Sequence, residues 1–348
     1  MATHRRPKQP GPRRASVLTA TAAAAATVSL GASSASADPL PDPTKKGVQA
    51  QVDRLYEQAT QATEKFNGAT EKAGALKREV AALQDSAARK QAQLNALRDR
   101  IGTVATGQYR AGGLDPALQL FLSEDPDTYL DRATALDRAG DRQTAVLQQF
   151  LSQQRALGQQ RAEAAGKLRD LDAVQKESGR RKEEIQGKLR EARRLLNTLS
   201  AKERARIAET EARANRASAR VELGSQPSAS GRAAAAFAAA RSRVGLPYVW
   251  GASGPGSFDC SGLTSWAFRQ ADVSIPRTSQ AQASAGTRVN SLGDLRPGDL
   301  VIMRTDLSHV GFYAGNGQIL HSPKPGAQVR YESIARSGMP FMWGVRIG

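Results

Sequence analysis

The sequence predicts an α+β protein, in which a long antiparallel helical hairpin precedes a compact domain of two helices and a sheet. Three observations carry that prediction. From about Thr44 to Leu223 the chain is rich in Ala, Gln, Arg, Glu, Lys and Leu and nearly free of proline. A Gly/Ser-containing stretch, 224–231, interrupts it and reads as a flexible linker. Beyond it Gly, Pro and aromatic residues rise, charge runs vanish, and short apolar runs alternate with turn residues.

The chain begins with Arg5, Arg6, Lys8, Arg13 and Arg14, followed by an alanine-rich apolar run from Ala15 to Leu30. The run ends in the small residues Ala35, Ser36 and Ala37, and no acidic residue precedes Asp38. A basic region, a short apolar core and an A-x-A site together read as a secretory signal peptide over 1–37. A membrane anchor would need a longer unbroken run. The Arg13-Arg14 pair before Val17-Leu18 adds a faint twin-arginine signal. No second apolar run of spanning length follows, so no transmembrane segment is expected in the mature chain. Cleavage takes five basic residues from a formal charge of +17 and leaves +12. That balance favours anionic polymers, although a solvated basic helix face accounts for most of it. With 5% aromatics there is little stacking surface, and no nucleic-acid partner is expected.

The helical region spans 38–223. Leu76, Val80, Leu83, Ala87, Lys90, Leu94, Leu97, Ile101 and Val104 alternate steps of four and three, a heptad seam broken only by Lys90. A second seam runs through Ile185, Leu189, Ala192, Leu196 and Leu199, with looser apolar spacing upstream at Leu147, Leu151, Leu168 and Leu171. Between the seams, Gly112-Gly113, Asp115-Pro116 and Asp125-Pro126 break helices. A short helix at a bend, carrying the apolar cluster Leu118, Leu120, Phe121 and Leu122, is expected there. The cluster reads either as tip packing or as a docking patch. A first arm of about 60 residues would reach roughly 90 Å. Such a rod is a spacer or lever, because it has no interior for a small molecule.

The C-terminal domain, 232–348, is expected to open with a helix from Ala233 to Val244, stopped by Gly245 and Pro247. A second helix starts near Cys260 and runs to about Gln270. The runs 299–303, 309–313 and 318–321 read as consecutive antiparallel strands.

Cys260 is the only cysteine in the chain, and it shares this domain with His309 and His321. A nucleophilic cysteine needs a thiolate, a nearby imidazole and a group that orients the imidazole. At a helix start the thiol's pKa falls, and backbone N–H groups there can hold an oxyanion. If 309–314 and 318–321 pair across Gly315-Asn316-Gly317, the two histidines share one cleft. His309 then takes the thiol proton, and His321 holds the other nitrogen of His309. Three readings compete. Cys260 is an inert buried thiol, a view its polar neighbours Asp259 and Ser261 oppose. The trio binds zinc, although it lacks a further ligand at close spacing, and no metal or cofactor is expected. Or His321 only caps a strand. GASGPGSFDCSG lacks the order of a phosphate-binding loop.

VGLPYVWGASGPGSFDCSGLTSWAFRQADVSIPRTSQAQ, LRPGDLVIM and SHVGFYAGNGQILHSP are similar, in order and spacing, to the NlpC/P60 family of bacterial cell-wall peptidases. The resemblance covers about 233–348. It implies a papain-like α+β fold and cleavage of peptidoglycan stem peptides, typically between γ-D-glutamyl and a diamino acid. By position it makes Cys260 the nucleophile, His309 the base and His321 the third polar residue. It places Tyr248 beside the nucleophile, and Asp259 and Ser261 against the stem peptide. It sets Arg277, Ser279 and Gln280 in a motif bordering the cleft. The helical half resembles the coiled coils of division-associated wall hydrolases, through QYRAGGLD and DTYLDR. That implies a membrane partner of the FtsEX type and a rod able to block the site. A secreted, wall-associated endopeptidase is the resulting expectation. Its rivals are a CHAP-type amidase cutting the sugar–peptide bond and a scaffold that only binds wall.

Overall fold

The two longest helices run side by side in opposite directions. α1 spans Lys45–Arg110 and α2 spans Tyr129–Thr198. Lys167 meets Glu79 at 2.7 Å, Arg161 meets Gln91 at 2.8 Å and Lys188 meets Gln58 at 2.8 Å, so numbers fall on one arm as they rise on the other. The computed structural model describes residues 45–110, 129–218, 220, 221, 227 and 229–348. The expected signal peptide, the bend with its 118–122 cluster and half of the expected linker lie outside those residues. Pro43–Gly348 form one compact unit.

The α1 seam buries Leu76, Val80, Leu94 and Leu97 and extends further toward the N-terminus than expected, through Val48, Val52, Leu55, Ala59 and Ala62. Across it lie Leu157, Ile185, Ala192 and Leu199, which recur whole heptads apart and so share one face. Leu147, Leu151 and Leu168 are exposed, contrary to expectation. Leu147 and Val104 line one cleft between the arms, and Leu151 and Leu168 do not take the buried heptad positions.

A third helix was not foreseen. The arm stops at Thr198, and Ser200 starts α3, Ala201–Ser218. Ser200 Oγ accepts from Glu203 N (3.3 Å) while the Glu203 carboxylate accepts from Ser200 N (3.0 Å), a reciprocal capping box. α3 packs against the sheet of the C-terminal domain. Ser218 Oγ accepts from Tyr331 N at 2.7 Å, and the Glu211 carboxylate accepts from Arg330 Nη1 at 2.7 Å.

In that domain α4 is Gly231–Arg241, capped by Ser230, whose Oγ accepts from Ala233 N. Ala229 N donates to Pro297 O, so the last residues of the expected linker belong to the domain. α5 is Cys260–Gln270 and α6 is the short turn Ser279–Gln282. The strands are β1 Thr287–Val289, β2 Leu300–Met303, β3 His309–Gly315, β4 Gln318–His321, β5 Arg330–Ser333 and β6 Phe341–Arg346. They form one antiparallel sheet in the order β1-β6-β2-β3-β4-β5. The class is α+β.

Both faces of the sheet centre are covered, which is why β3 is buried at every residue and reads as a continuous apolar run. On one face Phe237, Leu263 and Phe268 pack against Leu300, Ile302 and Phe312, with Phe268 stacked on Phe312 at 5.5 Å. On the other, Leu295, Val301, Met303 and Ile319 cluster. Both clusters draw their buried residues from 236–347 alone, so this domain carries its own core.

Asp299, from the LRPGDLVIM stretch, is fully buried at the head of β2 and accepts from Arg346 Nε (2.9 Å), Arg346 Nη2 (2.7 Å) and Arg296 N (2.8 Å). Arg346→Leu therefore strands a buried carboxylate. A loss of about 3 kcal/mol is expected, the low end for such a pair because the Arg346 head is partly exposed. A denaturant midpoint unchanged from the parent chain would contradict it.

Candidate active site

The cysteine sits where helix-start chemistry requires. Asp259 takes extended backbone angles and its side chain accepts from Gly262 N, so α5 begins at Cys260 itself. A Cβ at Gly262 would meet the Ala252 carbonyl, so glycine is what lets the helix start against its own approach loop. Cys260 is 1% exposed, and its Sγ lies 3.8 Å from Ser308 O, at the entry to β3. Ser322 Oγ donates to Phe258 O at 2.8 Å, tying the end of β4 to the loop before the cysteine.

His309 opens β3 and His321 closes β4. In the β3–β4 register Phe312 faces Leu320 and Tyr313 faces Ile319, which places Gly311 next to His321. A Cβ at Gly311 would lie 2.8 Å from His321 Cβ and 2.7 Å from Leu320 O. Its absence lets the His321 ring lean across the strand to His309. His309 Nε2 and His321 Nδ1 are 2.8 Å apart, with the rings edge to face. His309 Nδ1 is buried without a hydrogen-bond partner among the described residues, and is the ring atom left for the thiol.

α1 closes this site. Its polar stripe Thr60, Thr63, Glu64 and Asn67 is buried, with Glu64 2% exposed. The Glu64 carboxylate accepts from Ser261 Oγ (2.7 Å), Ser279 N (2.6 Å) and Ser279 Oγ (2.9 Å). It also lies 3.8 Å from Cys260 Sγ, close enough to accept the thiol proton. Asn67 Nδ2 donates to Asp259 Oδ2 at 3.1 Å, and Phe66 packs edge-on against Trp250.

The electrostatics follow from this burial. Desolvation raises the Cys260 thiol well above its usual range, and the Glu64 and Asp259 carboxylates push it further. Desolvation, then His321 and Arg304, holds His309 well below the ordinary imidazole value. The expected thiolate is thus corrected for this state. The helix start is present, but burial outweighs its effect and the Glu64 and Asp259 carboxylates add to it, so the thiol and the His309 imidazole are both held toward their neutral forms. Glu64 itself is raised to about 7, chiefly by burial and then by Asp259, against the pull of Ser261, Ser279 and Arg277.

The structure brings Tyr248, Asp259, Ser261 and Ser279 together around Cys260, but two expected contacts are revised. Asp259 faces inward as the helix cap and pairs with Arg277 through Nη1 (3.0 Å) and Nη2 (2.6 Å), so it holds the site's frame and is not free for a ligand. Gln280 is exposed and donates to Asp306 O, which puts it on the rim. The buried amide is Gln282, bonded to Thr264, Ser261 O and Pro276 O. Tyr248 is buried, and desolvation raises its phenol well above the usual value. Glu64, Asn67, Arg330 and Glu332 escaped sequence reasoning. Only the stripe Thr60, Thr63, Glu64, Asn67 left a signal, being short polar residues at helical spacing where a solvated face would carry lysines. Among the described residues no group of three or more His, Cys, Asp or Glu is arranged to hold a metal ion, and no helix is long and apolar enough to cross a membrane.

A thiol at a helix start, 3.8 Å from the carbonyl of the residue before His309, in an α+β domain whose adjoining strands carry a hydrogen-bonded histidine pair, makes a candidate site for cysteine chemistry. Residues 245–345 are an NlpC/P60 domain. A probable endopeptidase of Corynebacterium glutamicum is 49% identical over 108 residues, which are 31% of this chain and 50% of that protein. A probable endopeptidase of Mycobacterium tuberculosis is 46% identical over 110 residues, 32% of this chain and 28% of that protein. The chain thus spans half or less of the length of these curated relatives. The solved NlpC/p60 domain of the peptidoglycan hydrolase SagA is 33% identical, covering 33% of this chain and 98% of that one, with a TM-score of 0.31.

Proposed function

We propose that this chain is a secreted peptidoglycan endopeptidase that hydrolyses stem peptides between γ-D-glutamyl and the diamino acid, in wall remodelling or division. The observation that carries this reading is Cys260 at the start of α5, beside the 2.8 Å His309–His321 pair within an NlpC/P60 domain. Endopeptidase names among the relatives support it, and the N-terminal signal pattern supports export.

In this mechanism His309 Nδ1 takes the thiol proton and the sulfur attacks the γ-glutamyl carbonyl. Backbone N–H groups at the start of α5 receive the oxyanion. His309 returns the proton to the departing amine, leaving a thioester, and water, deprotonated by the same ring, hydrolyses it. The state described above is closed, since Glu64 fills the space beside Sγ that a substrate carbonyl needs. α1 is therefore read as an inhibitor in cis, to be lifted by a partner on the membrane. The 118–122 patch expected to meet that partner lies outside the described residues.

A soluble L-Ala-γ-D-Glu-diamino acid peptide, incubated with the 229–348 fragment and followed by mass spectrometry, tests the bond. Release of the diamino acid supports the reading. On intact wall, bare sugar in place of an L-Ala-γ-D-Glu stub would reassign the domain as an amidase. No product and no thiol labelling would leave a scaffold.

The histidines should fail unequally. His309→Ala removes the base and is expected to cost on the order of 10³-fold in kcat, whereas His321→Asn keeps an acceptor for His309 Nε2 and loses roughly tenfold. Equal and complete loss in both variants would contradict these roles.

A further inference from the structure

His321 has a second partner that the reaction above does not use. β5 lies beside β4 with His321 opposite Arg330 and Ile319 opposite Glu332. This brings Glu332 Oε2 to 3.1 Å from His321 Nε2. Both histidines are fully buried, so neither ring can settle its proton with water. A neutral imidazole carries its proton on one nitrogen only.

The 2.8 Å contact between His309 Nε2 and His321 Nδ1 holds a single proton, and two arrangements satisfy it. In one, His321 carries its proton on Nδ1 and donates to His309. The His309 proton then sits on Nδ1, and the ring cannot accept from the thiol. In the other, His321 is protonated on Nε2 and accepts from His309 Nε2–H, which leaves His309 Nδ1 free as a base. Only the second gives His321 Nε2 a hydrogen to donate, and the Glu332 carboxylate there accepts it.

We propose that Glu332 is a positioning residue, whose carboxylate fixes the proton of His321 on Nε2 and thereby leaves His309 Nδ1 free for the thiol proton. The proposal rests on the endopeptidase reading for its catalytic consequence, but not for the proton positions. The carboxylate is kept ionised. Burial would raise its pKa, yet the His321 hydrogen bond and the Arg330 charge act against this and lower it. Desolvation holds His321 below the usual imidazole value, with Glu332 opposing and Arg330 and Arg304 assisting, so the ring is neutral and its tautomer matters.

The charges around the pair are few and identifiable. Arg304 approaches from the end of β2 and meets Glu57 of α1 at 3.5 Å. Arg330 Nη2 donates to Glu332 at 3.3 Å, while its Nη1 donates to Glu211 and Asn215 of α3. Glu332 is thus shared between His321 and an arginine that the helical region also grips.

The chain has three histidines, so histidine-selective ¹⁵N labelling of the full chain resolves each tautomer. At neutral pH the parent chain and Glu332→Gln are expected to show His309 and His321 protonated on Nε2, since the Gln oxygen still accepts. Glu332→Leu is expected to populate the Nδ1–H form of His321. Activity is read in a chain also carrying Glu64→Arg, to open the cleft. There Glu332→Leu should lose on the order of 100-fold in kcat with KM little changed, and Glu332→Gln roughly tenfold or less. Both should move the acid limb of kcat/KM to lower pH, because the anion that favours imidazolium is gone. A role confined to holding Arg330 would move neither tautomer nor pH limb. Nδ1–H at His321 in the parent chain would overturn the proposal even if Glu332→Leu fails to fold. So would equal kcat in the Gln and Leu variants. A chain that cleaves no stem peptide but shows the expected tautomers would sink the endopeptidase reading instead.

Discussion

Cys260→Ala is expected to abolish stem-peptide hydrolysis by the 229–348 fragment, by roughly 10⁴-fold or more. Cys260 is the chain's one cysteine, and the hydroxyl of the adjoining Ser261 accepts from Arg277 at 2.8 Å and donates to Glu64 in the closed state. Cys260→Ser should fail nearly as badly, because a serine hydroxyl is far less acidic than a thiol and yields its proton to the imidazole much less readily. Folding should survive. Asp259 caps α5 through its own side chain, Phe258, Leu263 and Phe268 hold the helix on the sheet, and the loss is one buried sulfur. A stability change within about 2 kcal/mol follows. Retained cleavage by a folded alanine variant would remove Cys260 from the mechanism.

That reading was available from sequence because its determinants are local. The helix start near Cys260 and the Gly-Asn-Gly between two apolar runs, which fixes the β3–β4 hairpin that carries both histidines, are each written in one short stretch, although the cap that Asp259 supplies emerged only from the structure. The rest depends on distant pairing. β6 lies between β1 and β2, and β5 carries the mixed polar run Arg330–Ser333, so neither alternation nor chain order announces the sheet's edges. Glu64 meets Ser279 across 215 residues of sequence, and on a rod rich in charge one more glutamate reads as solvated. Thr60, Thr63 and Asn67 beside it are what distinguish that face, and their meaning emerges only when the cleft is placed against them. Glu332 was hidden for the same reason, since its partner His321 lies on a neighbouring strand.

Replacing Glu64 should activate the full chain, and the pH at which it does so should be informative. Glu64→Arg sets a second cation beside Arg277 and strips Ser261 and Ser279 of their acceptor. Each of the three hydrogen bonds that Glu64 accepts contributes about 0.5–1.5 kcal/mol, so losing them is expected to raise turnover of a soluble stem peptide at least tenfold. Full release is opposed by Phe66 on Trp250, Lys324 on Asp53 and Glu211 on Arg330, so the 229–348 fragment should be faster still. When α1 is docked, burial pushes the Glu64 carboxyl up to about 7, from an ordinary value of 4.5. The docked state therefore holds the extra proton. Its contribution is fully present below about 4.5 and is lost as pH rises through about 7, at about 1.4 kcal/mol per unit across that window at most. Facing Glu64 are Asp259, Cys260 and Arg277; burial pushes the Cys260 thiol up, and Arg277 is raised, against its burial, by Asp259, so neither moves into this window. The ratio of full-chain to fragment activity should accordingly climb between pH 5 and about 7.5 and then level off. Glu64→Gln, a permanent mimic of the protonated form, should flatten that ratio and keep the chain inhibited at neutral pH. A full chain as fast as its fragment at every pH would show that α1 does not inhibit, and a Gln variant as active as Glu64→Arg would remove the proton from the release step.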